Sequence, residues 1–192
     1  MNNSRTMSKK SHVNFLTGFT LLEMIVSTGI FSVVVVASIG IILSVKSAQE
    51  KSSNIQNVQD NIRFAAEFIS KELRQGTSYQ PVGCTTIALG LRQCTSITFT
   101  SSRGLLVSYC KPASTVLRLE VAGSCGANGL PLTASNIAIN QLFFYVTGEA
   151  AGAGDGQPRM TLVLSGASTE PKTQLRSSFN LQTTVTQRVR DL

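Results

Sequence analysis

The sequence predicts an α+β protein: a long N-terminal helix, apolar all round in its first half and amphipathic in its second, packed on an antiparallel β-sheet. Three observations predict it. The 22 residues from Met24 to Val45 carry no charge. Apolar residues then recur at three- and four-residue steps as far as Leu73, the spacing of one helical face. After Gly76 the period drops to two, as strands require.

Residues 1–18 form a polar, basic leader in which Arg5, Lys9 and Lys10 face no acidic residue. Met7 is an alternative start to Met1, because "MSKKSHVNFLTG" keeps every feature used below. The charge-free run would rise ~33 Å as a helix, enough to cross a hydrocarbon core of ~30 Å. It exceeds the ~7–15 apolar residues of a secretory signal, and "SVKSAQE" after it is a poor cleavage site. Basic residues precede the run and mixed signs follow it, so the N-terminus is expected in the cytoplasm and the rest of the chain outside. The boundaries are a leader over 1–18, a membrane helix over 19–45 and an exported domain over 46–192.

The domain opens with the second half of the helix, residues 46–75. Ile55, Val58, Ile62, Ala65, Ile69 and Leu73 form its apolar stripe, which Phe64 and Phe68 widen. Gly76, just after Arg74, stands where a C-cap glycine belongs. The whole helix is expected from about Thr20 to Gln75, weakened locally at Gly29 and Gly40. In "SITFTS", Ile97 and Phe99 share a face. "TVLRLEV" sets Leu117, Leu119 and Val121 against an outward Arg118 and Glu120. "NQLFFYV" and "RMTLVL" are dense enough to be buried on both faces, and "TGEAAGAGDGQP" between them is a flexible hairpin-like connection. "SFNLQTTVTQ" aligns Phe179, Leu181, Thr183 and Val185 on one side. Strands in succession with turn-rich links favour antiparallel pairing. The helical stripe then covers the inner face of the sheet.

Charge and cysteine usage narrow the function. From Phe19 onward 14 basic and 10 acidic residues leave a net +4, a mild excess that gives a nucleic-acid partner only weak support. Cys84, Cys94, Cys110 and Cys125 all fall in the exported part, where an even count favours disulfides. Three pairings are open. Cys84–Cys94 and Cys110–Cys125 are favoured because each closes a short, turn-rich loop. A zinc site is disfavoured, since there is no C-x-x-C and no histidine after His12. His12 also lies in the leader, so a mature Ser-His or Cys-His pair is not expected and no catalytic residue is assigned. Asp155 in "GAGDG" lacks the further carboxylates of a calcium loop and reads as a turn. The C-terminal "QRVR" reads as a solvated strand end. No cofactor is expected.

One stretch remains unexplained by these rules. "GFTLLEMIV", residues 18–26, places Glu23 inside a lipid-compatible segment, where a carboxylate costs roughly 3 kcal/mol on insertion scales. A glycine, a phenylalanine and a glutamate in this register, after a short basic leader and before an apolar helix, closely resemble the class III signal of type IV pilins and pseudopilins. The resemblance implies cleavage between Gly18 and Phe19 by a prepilin peptidase, with N-methylation of Phe19. Glycine suits such a junction, since it has no Cβ to clash in a narrow site. The resemblance further implies that Glu23 neutralises the new α-amine of a neighbouring subunit and sets register in a filament.

The order "RFAAEFISKELRQ", strands, "PLTASNIAINQLFFYVTG", a glycine-rich gap, "QPRMTLVLSG" and "SSFNLQTTVTQRVR" is similar to the J-type minor pseudopilins and W-type minor pilins. That implies a pilin-like fold and a structural priming or tip component, not an enzyme, in a type IV pilus, type II secretion or DNA-uptake filament. The implied partners are the prepilin peptidase, other pilin subunits, the membrane and an inner-membrane assembly platform. The implied location is the inner membrane and then a periplasmic or surface filament. Gly40 departs from the family, many of whose major subunits carry a proline nearby that helps the helix unwind. A tip module binding DNA or a surface, and a plain single-span anchor, are the alternatives. Intact-mass analysis of membrane-extracted protein is expected to show a chain beginning at methylated Phe19. Gly18→Leu should retain the leader, and a product keeping Met1 or Met7 beside an active prepilin peptidase contradicts the assignment.

Overall fold

The structure, a computed structural model, describes residues 18–88, 91–120, 125, 129–148 and 158–188. The chain divides into two compact units, Met1–Val45 and Lys46–Leu192. Helix α1 spans Leu21–Gln75 without a break at Gly29 or Gly40. Eight strands follow: β1 (Thr77–Ala88), β2 (Leu91–Thr100), β3 (Leu106–Cys110), β4 (Leu117–Leu119), β5 (Leu130–Pro131), β6 (Ile137–Thr147), β7 (Arg159–Ser168) and β8 (Ser178–Thr186). They form one sheet in the order β5-β4-β3-β2-β6-β7-β8, with β1 also on β2. Every paired neighbour is antiparallel. The expected α+β architecture, a helix on an antiparallel sheet, is therefore what forms.

Val58, Ile62, Ala65, Ala66, Ile69 and Leu73 of α1 are buried against Ile97, Phe99, Phe144, Leu162 and Leu164 of the sheet. Gly166 lets the helix approach, because a Cβ there would stand 3.2 Å from Ile62 Cδ1 and 3.0 Å from the Ala138 carbonyl. Ile55 lies outside this core, and Phe64 stays 58% exposed with its ring tilted against Phe68. The stripe is thus narrower than expected, because the sheet covers the helix only from Val58 to Leu73.

The sheet departs from expectation where turn residues or burial hide the strand signal. β1 contains Pro81 and Gly83, which read as turn residues, yet a proline is tolerated in a strand that pairs on one side only. Gly83 has φ +65° and a Cβ there would meet Thr95 Oγ1 at 2.4 Å. In β3, Val107 through Cys110 are all buried, so the alternation that marks a strand is missing. β6 and β7 are not buried on both faces. Leu142, Phe144 and Val146 enter the core while Phe143 and Tyr145 are half-buried, because α1 covers one face. An irregularity between Ile139 and Gln141 moves the core-facing positions from odd to even numbers, as a bulge does. β6 and β7 do form the expected hairpin; its connection over 149–157, with Asp155, lies outside the described residues. β8 alternates as expected, with Phe179, Leu181, Thr183 and Val185 inward.

Gly76 differs from its expected role. It has no positive φ; it is small because a Cβ would stand 2.4 Å from the Phe99 ring. Side chains and backbone from elsewhere close the helix instead. The Tyr79 hydroxyl reaches the Leu73 carbonyl and, at 2.7 Å, that of Gly76. The Arg188 N–H donates to the Arg74 carbonyl at 2.9 Å, and Gln187 Nε2 to that of Gly76 at 3.3 Å.

Both favoured disulfides are present, Cys84–Cys94 and Cys110–Cys125. The first joins direct cross-strand partners of β1 and β2. Non-reducing peptide mapping of the membrane-extracted protein is expected to recover these two pairs. Replacing Cys84 and Cys94 together by serine should cost about 3 kcal/mol by the chain-entropy estimate, read as a lower melting midpoint. A Cys94–Cys110 peptide, or free thiols at all four positions, contradicts the connectivity.

Candidate functional site

Gly18, Phe19 and Thr20 precede the first turn of α1 and are exposed, Phe19 by 78%. No atom lies within 4 Å of a Cβ built on Gly18, so nothing in the described fold requires a glycine there. Thr20 caps the helix: its Oγ1 accepts from the Glu23 N–H at 3.2 Å, and its carbonyl accepts from the Met24 N–H. Such a cap contributes about 1 kcal/mol. Thr20 and Glu23 form the T-x-x-E pattern of a capping box, a signal present in the sequence that the reading above did not use. Glu23 is exposed in the first helical turn, where the helix dipole favours a negative charge by ~0.3–1 kcal/mol.

From Phe19 to Val45 the large apolar side chains point into open space; Leu21, Val33 and Val36 are each more than 70% exposed. Helix α1 is long and apolar enough, near the N-terminus, to cross a membrane. Its hydroxyls bond within the helix: Thr28 Oγ1 donates to the Met24 carbonyl at 2.6 Å, Ser32 Oγ to Thr28 at 2.7 Å and Ser38 Oγ to Val34 at 2.8 Å. The helix therefore presents these polar groups to a surrounding apolar phase already satisfied. The unit has the properties of a single-pass anchor.

The second cluster was not foreseen. Arg118, expected outward, is 5% exposed. Its Nη2 and Nε donate to Glu72 of α1 at 2.8 and 3.0 Å, and its Nη1 to Glu120 at 2.6 Å. The Tyr109 hydroxyl donates to Glu72 Oε2, the oxygen that also accepts from Arg118 Nε. Burial pushes the Glu72 carboxyl up, but hydrogen bonds from Arg118 and Tyr109 and the nearby guanidinium outweigh it and hold the group below its ordinary value. Burial and the bond to Glu72 raise the Tyr109 phenol, and the bond to Glu72 raises Arg118. The alternation of "TVLRLEV" pointed Arg118 to solvent because it contains no sign that α1 supplies a carboxylate. The cluster docks the helix flank to β3 and β4.

Among the described residues no group of three or more His, Cys, Asp or Glu is placed to hold a metal. Comparison with family models, with curated proteins and with solved structures returns no match.

Because the folded Glu72 value lies below the unfolded one, its stabilisation is full above pH ~4.5 and is lost as pH falls through the folded value. Melting midpoints of the full chain in detergent should decline with acid in that window, and Glu72→Gln should flatten the slope. Arg118→Met, which leaves Glu72 unpaired, should cost ~3 kcal/mol, and Glu72→Leu added to it should recover part of the loss. Equal midpoints in all three proteins would exclude a docking role for the pair.

Proposed function

We propose that this chain is a minor pilin or pseudopilin, a structural subunit of a membrane-derived filament such as a type IV pilus, a type II secretion pseudopilus or a DNA-uptake filament. In this reading a prepilin peptidase cuts between Gly18 and Phe19, Phe19 is N-methylated, and the segment 19–45 is first an anchor and then a packing element among neighbouring helices. The domain 46–192 faces other subunits after export, and assembly starts from a platform in the inner membrane. The action is assembly, without catalysis.

The observation that carries the reading is the coincidence at residues 18–23. A glycine with no packing reason precedes a helix whose apolar side chains are exposed as far as Val45, and Glu23 stands in its first turn. A cut before Phe19 creates an α-amine four residues from that carboxylate. Two lipid-facing charges of opposite sign are costly apart and far less so together.

The Thr20 cap favours a second reading, a plain single-span anchor in which Glu23 only completes the helix start. The two differ in what they need from the side chain. Capping accepts glutamine at this position as well as glutamate, whereas an ion pair with an amine needs the charge. Glu23→Gln and Glu23→Val are therefore both expected to be processed and membrane-bound, and both to lose most co-purification with other pilin subunits at matched expression. Wild-type incorporation of Glu23→Gln would leave the capping reading and remove the filament role assigned to the charge.

A further inference from the structure

The sheet ends differently on its different sides. β5 is two residues long and includes Pro131, and β1 carries Pro81, two register irregularities and a disulfide. Such features blunt a sheet edge against further pairing. β8 has none of them. It is nine residues long, without charge, proline or glycine, and it pairs only with β7. Half of its backbone N–H and C=O groups point away from β7.

A groove of about 570 Å³ runs between this strand and one face of α1. Arg63, Lys71 and Arg74 line it from the helix and Arg188 from beyond β8, with Glu67 the single carboxylate. None of the four cations is in an ion pair among the described residues. The Arg63 guanidinium lies over the Phe179 ring, 5.9 Å from its centroid, and Arg188 bonds Arg74 through the backbone. Helix and strand thus run in the same direction along the groove. Ser70 lines it too, with a buried hydroxyl that has no hydrogen-bond partner among the described residues.

We propose that this groove receives an extended acidic segment of another protein, which adds to β8 as a further strand. Backbone pairing supplies the attachment, and alternate side chains supply the selectivity. Arg63 to Arg74 rise about 16 Å along the helix, the length of about five extended residues. Carboxylates four residues apart on one side of that strand stand ~13 Å apart, close to the ~12 Å rise from Arg63 to Lys71, with Glu67 between them. The charge decides against a second copy of this chain: β8 pairing with itself would bring two sets of four cations together with no added carboxylate strand. The proposal concerns the domain alone and does not depend on the filament reading.

The test uses the full chain in detergent micelles and a short synthetic peptide alternating glutamate and valine. Three probes control it: the peptide with lysine for glutamate, one of equal composition with its glutamates contiguous, and oligothymidylate. The alternating acidic peptide is expected to bind more tightly than all three and to slow amide exchange over 178–186. Lys71→Glu with Arg74→Glu should weaken it about tenfold or more, and Lys71→Gln with Arg74→Gln by less in the same direction, each at an unchanged melting midpoint. Binding without protection of β8, equal binding of oligothymidylate or of the contiguous-glutamate peptide, or no binding at all overturns the proposal. So does a dimer of the chain that the peptide disperses.

Discussion

The burial of α1 between Val58 and Leu73 is the contact on which the rest of the domain depends. Neither partner is stable alone in water: the helix would expose an apolar stripe, and the sheet the inner faces of β2, β6 and β7. Their joining fixes where small residues must stand. Gly166 sits beneath Ile62 and Gly76 beside Phe99 because a methyl group at either position would force the layers apart. It also fixes where a charge can be buried, since Arg118 finds Glu72 only when the helix is seated. A mismatch in that seat would take Arg118 from Glu72 and leave it only the half-exposed Glu120, so the pair penalises wrong registers.

What was legible in the sequence follows from which forces are local. The helix limits, the stripe at Val58, Ile62, Ala65, Ile69 and Leu73, and the inward row Phe179, Leu181, Thr183 and Val185 each come from a period that the chain carries in itself. Both cysteine pairings were favoured on loop length. β1 was hidden because Pro81 and Gly83 are turn residues everywhere except at a sheet edge, and edge position is a property of the assembled sheet. β3 was hidden because burial on both faces erases alternation. Arg118 pointed the wrong way for a related reason: its partner is 46 residues distant in the chain. At residues 18–23 the motif was legible, but the Thr20 cap that accompanies it was passed over in favour of Glu23.

The cap and the proposed filament role give Glu23 reasons at two different scales. Capping and dipole effects belong to the isolated helix and are worth about a kcal/mol each. A charge pair in an apolar surrounding belongs to an assembly, and breaking it costs roughly 3–5 kcal/mol because one charge is left uncompensated. The proposed function rests on the larger of the two. The intrahelical bonds of Thr28, Ser32 and Ser38 fit either scale, because they leave the segment indifferent to whether lipid or neighbouring helices surround it.

The seating of α1 also has a mechanical side. A tug along the helix axis cannot peel its buried side chains away one at a time. Ile62, Ala65, Ala66, Ile69 and Leu73 would have to slide together over the sheet, with Ile62 leaving the space above Gly166, so they resist in shear and share the load. At the same moment the carbonyls of Leu73, Arg74 and Gly76 would draw on Tyr79 in the first strand and on Gln187 and Arg188 just past the last. Tension entering through the helix is thus delivered to both ends of the sheet's sequence at once, and the domain gives way as a unit or not at all.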